Sequence, residues 1–201
     1  MFNIDKSYEN LIEIKKSKFI TYIYPYNNVG EIDLTLDDLR QKHKDATHVC
    51  YAYVVASPNM EKCSDDGEPD GTAGKPILDV IKKNNLTDVL IVVVRYFGGV
   101  KLGAGGLVRA YAGSAGEIVK KCRLGQYKNI KTFRVECEIN KAKQLLDFIR
   151  QYNVMLLSQE YSNIFTCEIC IENEVVIKNF KDNYEMVEIN NSRVFYENNK
   201  N

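Results

Sequence analysis

The sequence predicts a two-domain α+β protein, with domains at residues 1–127 and 128–201. Three observations carry this. Ten of the twelve glycines lie between Gly67 and Gly116, and none follows Gly125. Before Tyr127, strand-like and helix-like apolar periods are interleaved. After Lys128, the order of periods is βαββαβ, the split βαβ or ferredoxin-like pattern. A chain of 201 residues buries a working core in either one or two domains.

In the first domain, Leu11–Tyr24 reads as one strand-like run. Ile32, Leu36 and Leu39 mark an amphipathic helix after it. Thr47–Ala56 follows as a strand, with Val49, Tyr51, Tyr53 and Val55 on one face. Ser57 to Gly74 shows no period and reads as a loop long enough to suggest a function. Pro76 then opens a helix, PILDVIKKN, at the first helical position, where a missing N–H costs nothing. Asp88–Tyr96 contains VLIVVV, apolar without alternation, which predicts a central strand covered on both sides. Leu107, Tyr111, Ala115, Ile118 and Cys122 form the apolar stripe of a third helix.

In the second domain the predicted elements are a strand (131–139), a helix (141–152), two strands (154–161 and 164–172), a helix (174–184) and a strand (192–196). Cys167 and Cys170 have CxxC spacing but lie in an alternating strand, so they face opposite ways and do not chelate one metal. The six cysteines are therefore expected as reduced thiols. There is no leader-like start and no run near the roughly 20 apolar residues of a membrane span. The expectation is a cytoplasmic protein.

Charge excludes a bulk polycation. The whole chain carries 27 basic and 27 acidic residues. Residues 1–128 hold 18 basic against 16 acidic, a net of +2; the remainder nets −2. Any polyanion must therefore meet a local patch. The candidate is IVVVRYFGGVKLGAGGLVRAY, residues 91–111, where a buried-type strand meets Arg95, two aromatics and five glycines within nine positions. A glycine loop between strand and helix leaves backbone N–H groups free for phosphate. The dinucleotide fingerprint fails, because GAGGLV has Val108 at the third glycine position. A P-loop fails as well, because Pro76 follows Gly74-Lys75 and Pro69 stands at its first glycine.

Upstream, CSDDGEPDGTAGKP bunches Asp65, Asp66, Glu68 and Asp70. It is no calcium loop, since the twelfth position from Asp66 is Ile77. A Mg²⁺ site shared with a ligand's phosphates and a solvated turn both fit. His48 and Cys50 share one strand face, but no cation adjoins Cys50 in sequence to make a thiolate. On the third helix Arg109, Gly113, Gly116 and Lys120 fall within about 60° of one another, away from the apolar stripe. Each helical glycine costs about 1 kcal/mol against alanine. Either a closely packed neighbouring helix or an approaching partner would account for the pair.

ATHVCYAYV, SDDGEPDGTAGKP and VVVRYFGGVKLGAGGLVRAY occur in that order, after an early KSKFI. Over roughly residues 8–123 the chain resembles the YigZ/IMPACT family, in its bacterial two-domain form. The resemblance implies an N-terminal α/β domain similar to one in a small-subunit ribosomal protein and to the penultimate domain of elongation factor G. A left-handed βαβ crossover, against the usual hand, comes with it. The resemblance also implies a C-terminal domain like the last domain of elongation factor G. Eukaryotic relatives act in translational control through an additional N-terminal domain, and that role is not expected of this sequence. No catalytic residue comes with the family.

Three functions follow as expectations. The first is a non-enzymatic protein that binds RNA, the ribosome or the translation machinery. Its site would combine Arg95, Lys101, Arg109 and Lys75 with Gly98, Gly99, Gly103, Gly105, Gly106 and the exposed aromatics Tyr96 and Phe97. The second is a nucleotide- or phosphate-binding small-molecule enzyme, with Mg²⁺ on Asp65, Asp66 and Glu68. The third is a protein-interaction module for a translation factor. No DNA-specific motif and no required cofactor are expected.

Overall fold

VLIVVV fixes the middle of the first unit, because a strand apolar on both sides needs a layer on each. The computed structural model describes residues 1–26 and 28–197. The chain divides into two units, Met1–Gln126 together with Glu197, and Tyr127–Tyr196.

The first unit begins with β1 (Asn3–Ile4), β2 (Tyr8–Ile14), β3 (Ser17–Pro25), α1 (Gly30–Lys42), β4 (His48–Val55) and β5 (Met60–Ser64). It continues with α2 (Gly74–Lys83), β6 (Val89–Tyr96) and α3 (Ala104–Lys121). Its sheet runs β2-β3-β6-β4-β5. β6 lies in the middle, antiparallel to β3 and to β4. Val89, Ile91 and Val93 join the core under α2 and α3, with Phe19, Ile77, Ile81, Tyr111 and Ile118. Leu90, Val92 and Val94 join the core under α1, with Ile32, Leu36, Leu39, Tyr51 and Tyr53. Both faces of β6 are thus covered, as its composition predicts.

Three expectations need correction here. The run Leu11–Tyr24 is not one strand but the β2–β3 hairpin, with Ile14 opposite Ser17. The two-residue turn is Lys15-Lys16, at φ 48° and 65°. Turns of this type favour Asn and Gly, so lysines gave no signal. The supposed loop from Ser57 contains β5, paired with β4, which shortens the irregular segment to 65–73. Finally, α2 starts at Gly74, so Pro76 is its third residue and not its first. An N–H at that position would have no intrahelical acceptor in any case, so its absence in proline costs nothing.

The second unit holds most of β7 (Leu124–Cys137), then α4 (Ala142–Gln151), β8 (Met155–Tyr161), β9 (Phe165–Ile171), α5 (Glu174–Asn183) and β10 (Glu185–Glu197). β9 pairs antiparallel with β7 and with β8, and β10 pairs with β7. Phe133, Val135, Leu145, Ile149, Phe165, Ile169, Ile177 and Phe180 form its core. β10 begins seven residues before the expected strand, because Glu185–Asn190 carries too few buried residues to show a period. Cys167 joins that core while Cys170 contacts Thr132. All six cysteines are free thiols. No helix among the described residues is long and apolar enough to cross a membrane.

Candidate functional site

The apolar run of β6 ends in Arg95 and Tyr96, and strand alternation sends the two side chains to opposite faces. Tyr96 joins the α1 side, where its hydroxyl lies 2.8 Å from His43 Nδ1, and His43 Nε2 lies 2.9 Å from the Tyr22 hydroxyl. Burial, then the Lys42 charge, holds the His43 pKa below its ordinary value. Tyr96 is therefore half-buried in a tyrosine–histidine cluster and is not the freely exposed aromatic expected.

Arg95 turns to the α3 side and is 5% exposed. Its NH1 donates to Glu68 Oε1 at 2.6 Å. The guanidinium carbon lies 5.6 Å from the Phe19 ring centre and 5.5 Å from that of Phe97. Its Nε is buried with no hydrogen-bond partner. The expectation that Arg95 meets a ligand phosphate is thereby corrected. A guanidinium already neutralised below the surface offers no charge to solvent.

The acidic segment is also turned inward. Asp65 Oδ1 accepts from the amides of Ala73 and Gly74, and Oδ2 from Gly71. It thus caps α2, whose Ala73 N-cap has no oxygen of its own. Burial alone would raise the Asp65 pKa, but the three amide bonds outweigh it and hold the carboxyl below its ordinary value. Asp66 Oδ2 accepts from Val49 N at 2.6 Å. Glu68 accepts from Arg95 and, at 2.7 Å, from the Tyr111 hydroxyl, and its Oε2 lies 3.8 Å from His48 Nε2. The three carboxylates each serve a different internal partner, and the described residues contain no group of acids or metal-ligand side chains that could hold an ion. The Mg²⁺ expectation for Asp65, Asp66 and Glu68 is corrected for that reason.

Cys50 Sγ donates to Asp65 O at 2.9 Å and lies 3.4 Å from the Tyr111 hydroxyl. Burial pushes its thiol up to about 12, and burial likewise raises the Tyr111 phenol. Cys50 thus stays a protonated thiol at neutral pH. Glu68 and Tyr111 are the two residues whose importance sequence reasoning missed. Glu68 looked like one of several loop acids, and Tyr111 like a member of the α3 apolar stripe. Nothing local to either shows that four separate segments meet at one carboxylate.

The segment from Phe97 to Gly103 joins β6 to α3. Phe97 N donates to Thr47 Oγ1 and Gly98 N to Ser17 Oγ. Gly98 is required sterically: a Cβ there would stand 2.0 Å from the carbonyl group of Lys16. Gly103 caps α3 at φ 70° and ψ 164°, with no side chain on the helix end and no acid in the first turn. The amides of Ala104, Gly105 and Gly106 consequently have no intrahelical acceptor. Arg109 folds back toward this end, its NH1 3.8 Å from where a Gly105 Cβ would be. Lys101 and Arg109 are exposed, and neither pairs with an acid among the described residues. Phe97 is 47% exposed, with Val100 and Val108 exposed nearby in sequence. Lys75 instead pairs with Asp79 along α2 at 3.2 Å.

On the rest of α3, a Cβ at Gly113 or at Gly116 would meet nothing within 4 Å. A packed neighbouring helix therefore does not account for them.

Known proteins resemble this chain. The Impact N-terminal domain family matches residues 15–119. The IMPACT family member YvyE of Bacillus subtilis (strain 168) is 35% identical over 172 residues, 85% of this chain and 79% of that protein. The IMPACT family member YigZ of Escherichia coli (strain K12) is 34% identical over 152 residues, 74% of each chain. A crystal structure of a hypothetical protein superposes with a TM-score of 0.63 at 27% identity, covering 94% of this chain and 97% of that one. The buried Glu68 junction and the open start of α3 both lie within the matched residues, and the domain match together with the YvyE and YigZ identities shows that the chain belongs to the IMPACT family.

Proposed function

We propose that this chain is a non-enzymatic cytoplasmic protein that binds RNA, free or in the ribosome, through the start of α3. The observation that carries the reading is electrostatic. A helix N-terminus has the positive end of the dipole and is normally met by an acid or a capping oxygen. Here α3 has neither, and the cations Lys101 and Arg109, unpaired among the described residues, adjoin it. That arrangement favours an anion from outside. Gly99, Gly103, Gly105 and Gly106 let a phosphate approach the backbone, and the exposed Phe97 ring offers a stacking face for an unpaired base.

The nucleotide-enzyme alternative has little left to support it, because its metal-binding acids are engaged within the chain. The protein-interaction alternative has one observation in its favour, the uncovered Gly113–Gly116 face. The fold likenesses belong to the same proposal, and the βαββαβ order of the second unit supports the ferredoxin-like one.

The test is fluorescence anisotropy with a labelled oligouridylate across a salt series. Two neutralised phosphates predict a slope of log K against log salt of about −1.4, at about −0.7 each. Lys101→Ala with Arg109→Ala should remove binding. Binding unaffected by salt or by that pair of substitutions would defeat the reading. Affinity capture with and without nuclease separates it from the protein-interaction alternative.

A further inference from the structure

A buried ion pair is a poor source of stability, because desolvating two charges offsets their attraction. Glu68 and Arg95 form such a pair, with side chains 3% and 6% exposed. The pair is not even fully satisfied, since Arg95 Nε has no partner. Its position is more telling than its energy. The Glu68 carboxylate ties the 65–73 segment to β6 through Arg95, to α3 through Tyr111 and to β4 through His48. Arg95 in turn lies against the ring of Phe97, the first residue of the glycine loop. Asp65, three residues before Glu68, holds the other end of the same acidic segment on α2.

We infer that Glu68 and Arg95 are positioning residues that couple the acidic segment to the glycine loop. Through Phe97 and Tyr111 they hold the loop and the first turns of α3 in one arrangement. The part of this that concerns ligand affinity rests on the RNA reading above; the mechanical coupling does not.

The experiment compares the full chain with the variant Glu68→Leu/Arg95→Met/Tyr111→Phe, which removes the carboxylate, the guanidinium and the hydroxyl together and leaves neither charge of the pair alone. Native-state hydrogen exchange reads three sets of amides. Gly71, Ala73 and Gly74 report the acidic segment, Phe97 and Gly98 the glycine loop, and Val92–Val94 the sheet. The first two sets should exchange about tenfold faster or more while the third keeps its protection. Oligouridylate affinity should fall about tenfold as the loop loses its preorganisation. Glu68→Gln keeps an oxygen for both donors but leaves the Arg95 guanidinium buried without its counter-charge, so it too should loosen the first two sets while the third keeps its protection.

The inference is overturned if the glycine-loop amides are unchanged, or if all three sets loosen together, which marks a purely structural role. Should the triple variant not fold, Tyr111→Phe alone decides. It cuts the α3 link and the Cys50 contact while leaving the Glu68–Arg95 pair in place, and unchanged exchange of the glycine-loop amides would then refute the positioning role. Failure of the parent protein to bind oligouridylate sinks the RNA reading but leaves the exchange result to decide the coupling.

Discussion

Gly98→Ala and Gly113→Ala make the same chemical change in opposite surroundings. At Gly98 the new methyl would stand 2.0 Å from Lys16 C and O and 2.5 Å from Ser17 N. All three are backbone atoms in the β2–β3 turn, so no rotamer change relieves the overlap. The loop must move by about an ångström, at about 1–3 kcal/mol for overpacking. That movement breaks the Gly98 N to Ser17 Oγ hydrogen bond, worth about 1 kcal/mol more. The total is about 2–4 kcal/mol of destabilisation. At Gly113 a methyl meets nothing within 4 Å. There alanine should stabilise the helix by about 0.5–1 kcal/mol. Urea unfolding followed by far-UV circular dichroism reads both. With a slope of roughly 2 kcal/mol per molar, the midpoint should fall by about 1–2 M for Gly98→Ala and rise by up to about 0.5 M for Gly113→Ala. A Gly98→Ala midpoint level with the parent would show that the hairpin turn does not press on the loop, and the steric account would be wrong.

Other outcomes follow from the same geometry. Arg95→Met leaves the Glu68 carboxylate buried without its cation and should destabilise by about 3–5 kcal/mol, measured by the same urea titration. Asp65→Ala removes the oxygens that cap α2 and should cost about 1–2 kcal/mol at neutral pH. Because the folded Asp65 pKa is depressed, its contribution is present above the unfolded carboxyl value and is lost as pH falls through the folded one. Melting curves from pH 7 down to pH 2 should therefore converge for Asp65→Ala and the parent. Convergence at alkaline pH instead would contradict the assignment. Cys50, its thiol pushed up to about 12, should stay unmodified after brief iodoacetamide treatment of the folded protein at pH 8, read by peptide mass spectrometry.

Much of the fold is legible residue by residue. The unbroken VLIVVV required two covering layers, and Ile32, Leu36 and Leu39 are the residues that α1 buries. Local rules failed where strand pairing, and not residue preference, decided the backbone. Lys15 and Lys16 turn left-handed because strand register demands it, not because lysine prefers it. β5 is an exposed edge with little apolar content, so only its pairing with β4 reveals it.

The candidate site divides the same way. The sequence by itself determined that glycines, cations and aromatics gather where a buried strand passes into a helix, and that no bulk charge would bind a polyanion. It could not say which of those cations stays in water. Arg95, Lys101 and Arg109 are alike in sequence, but only folding brings Glu68, 27 residues away, against the first and leaves the other two without an acid among the described residues. Whether a charge is neutralised depends on what lies within a few ångströms in space, and that distance is a property of the tertiary structure alone.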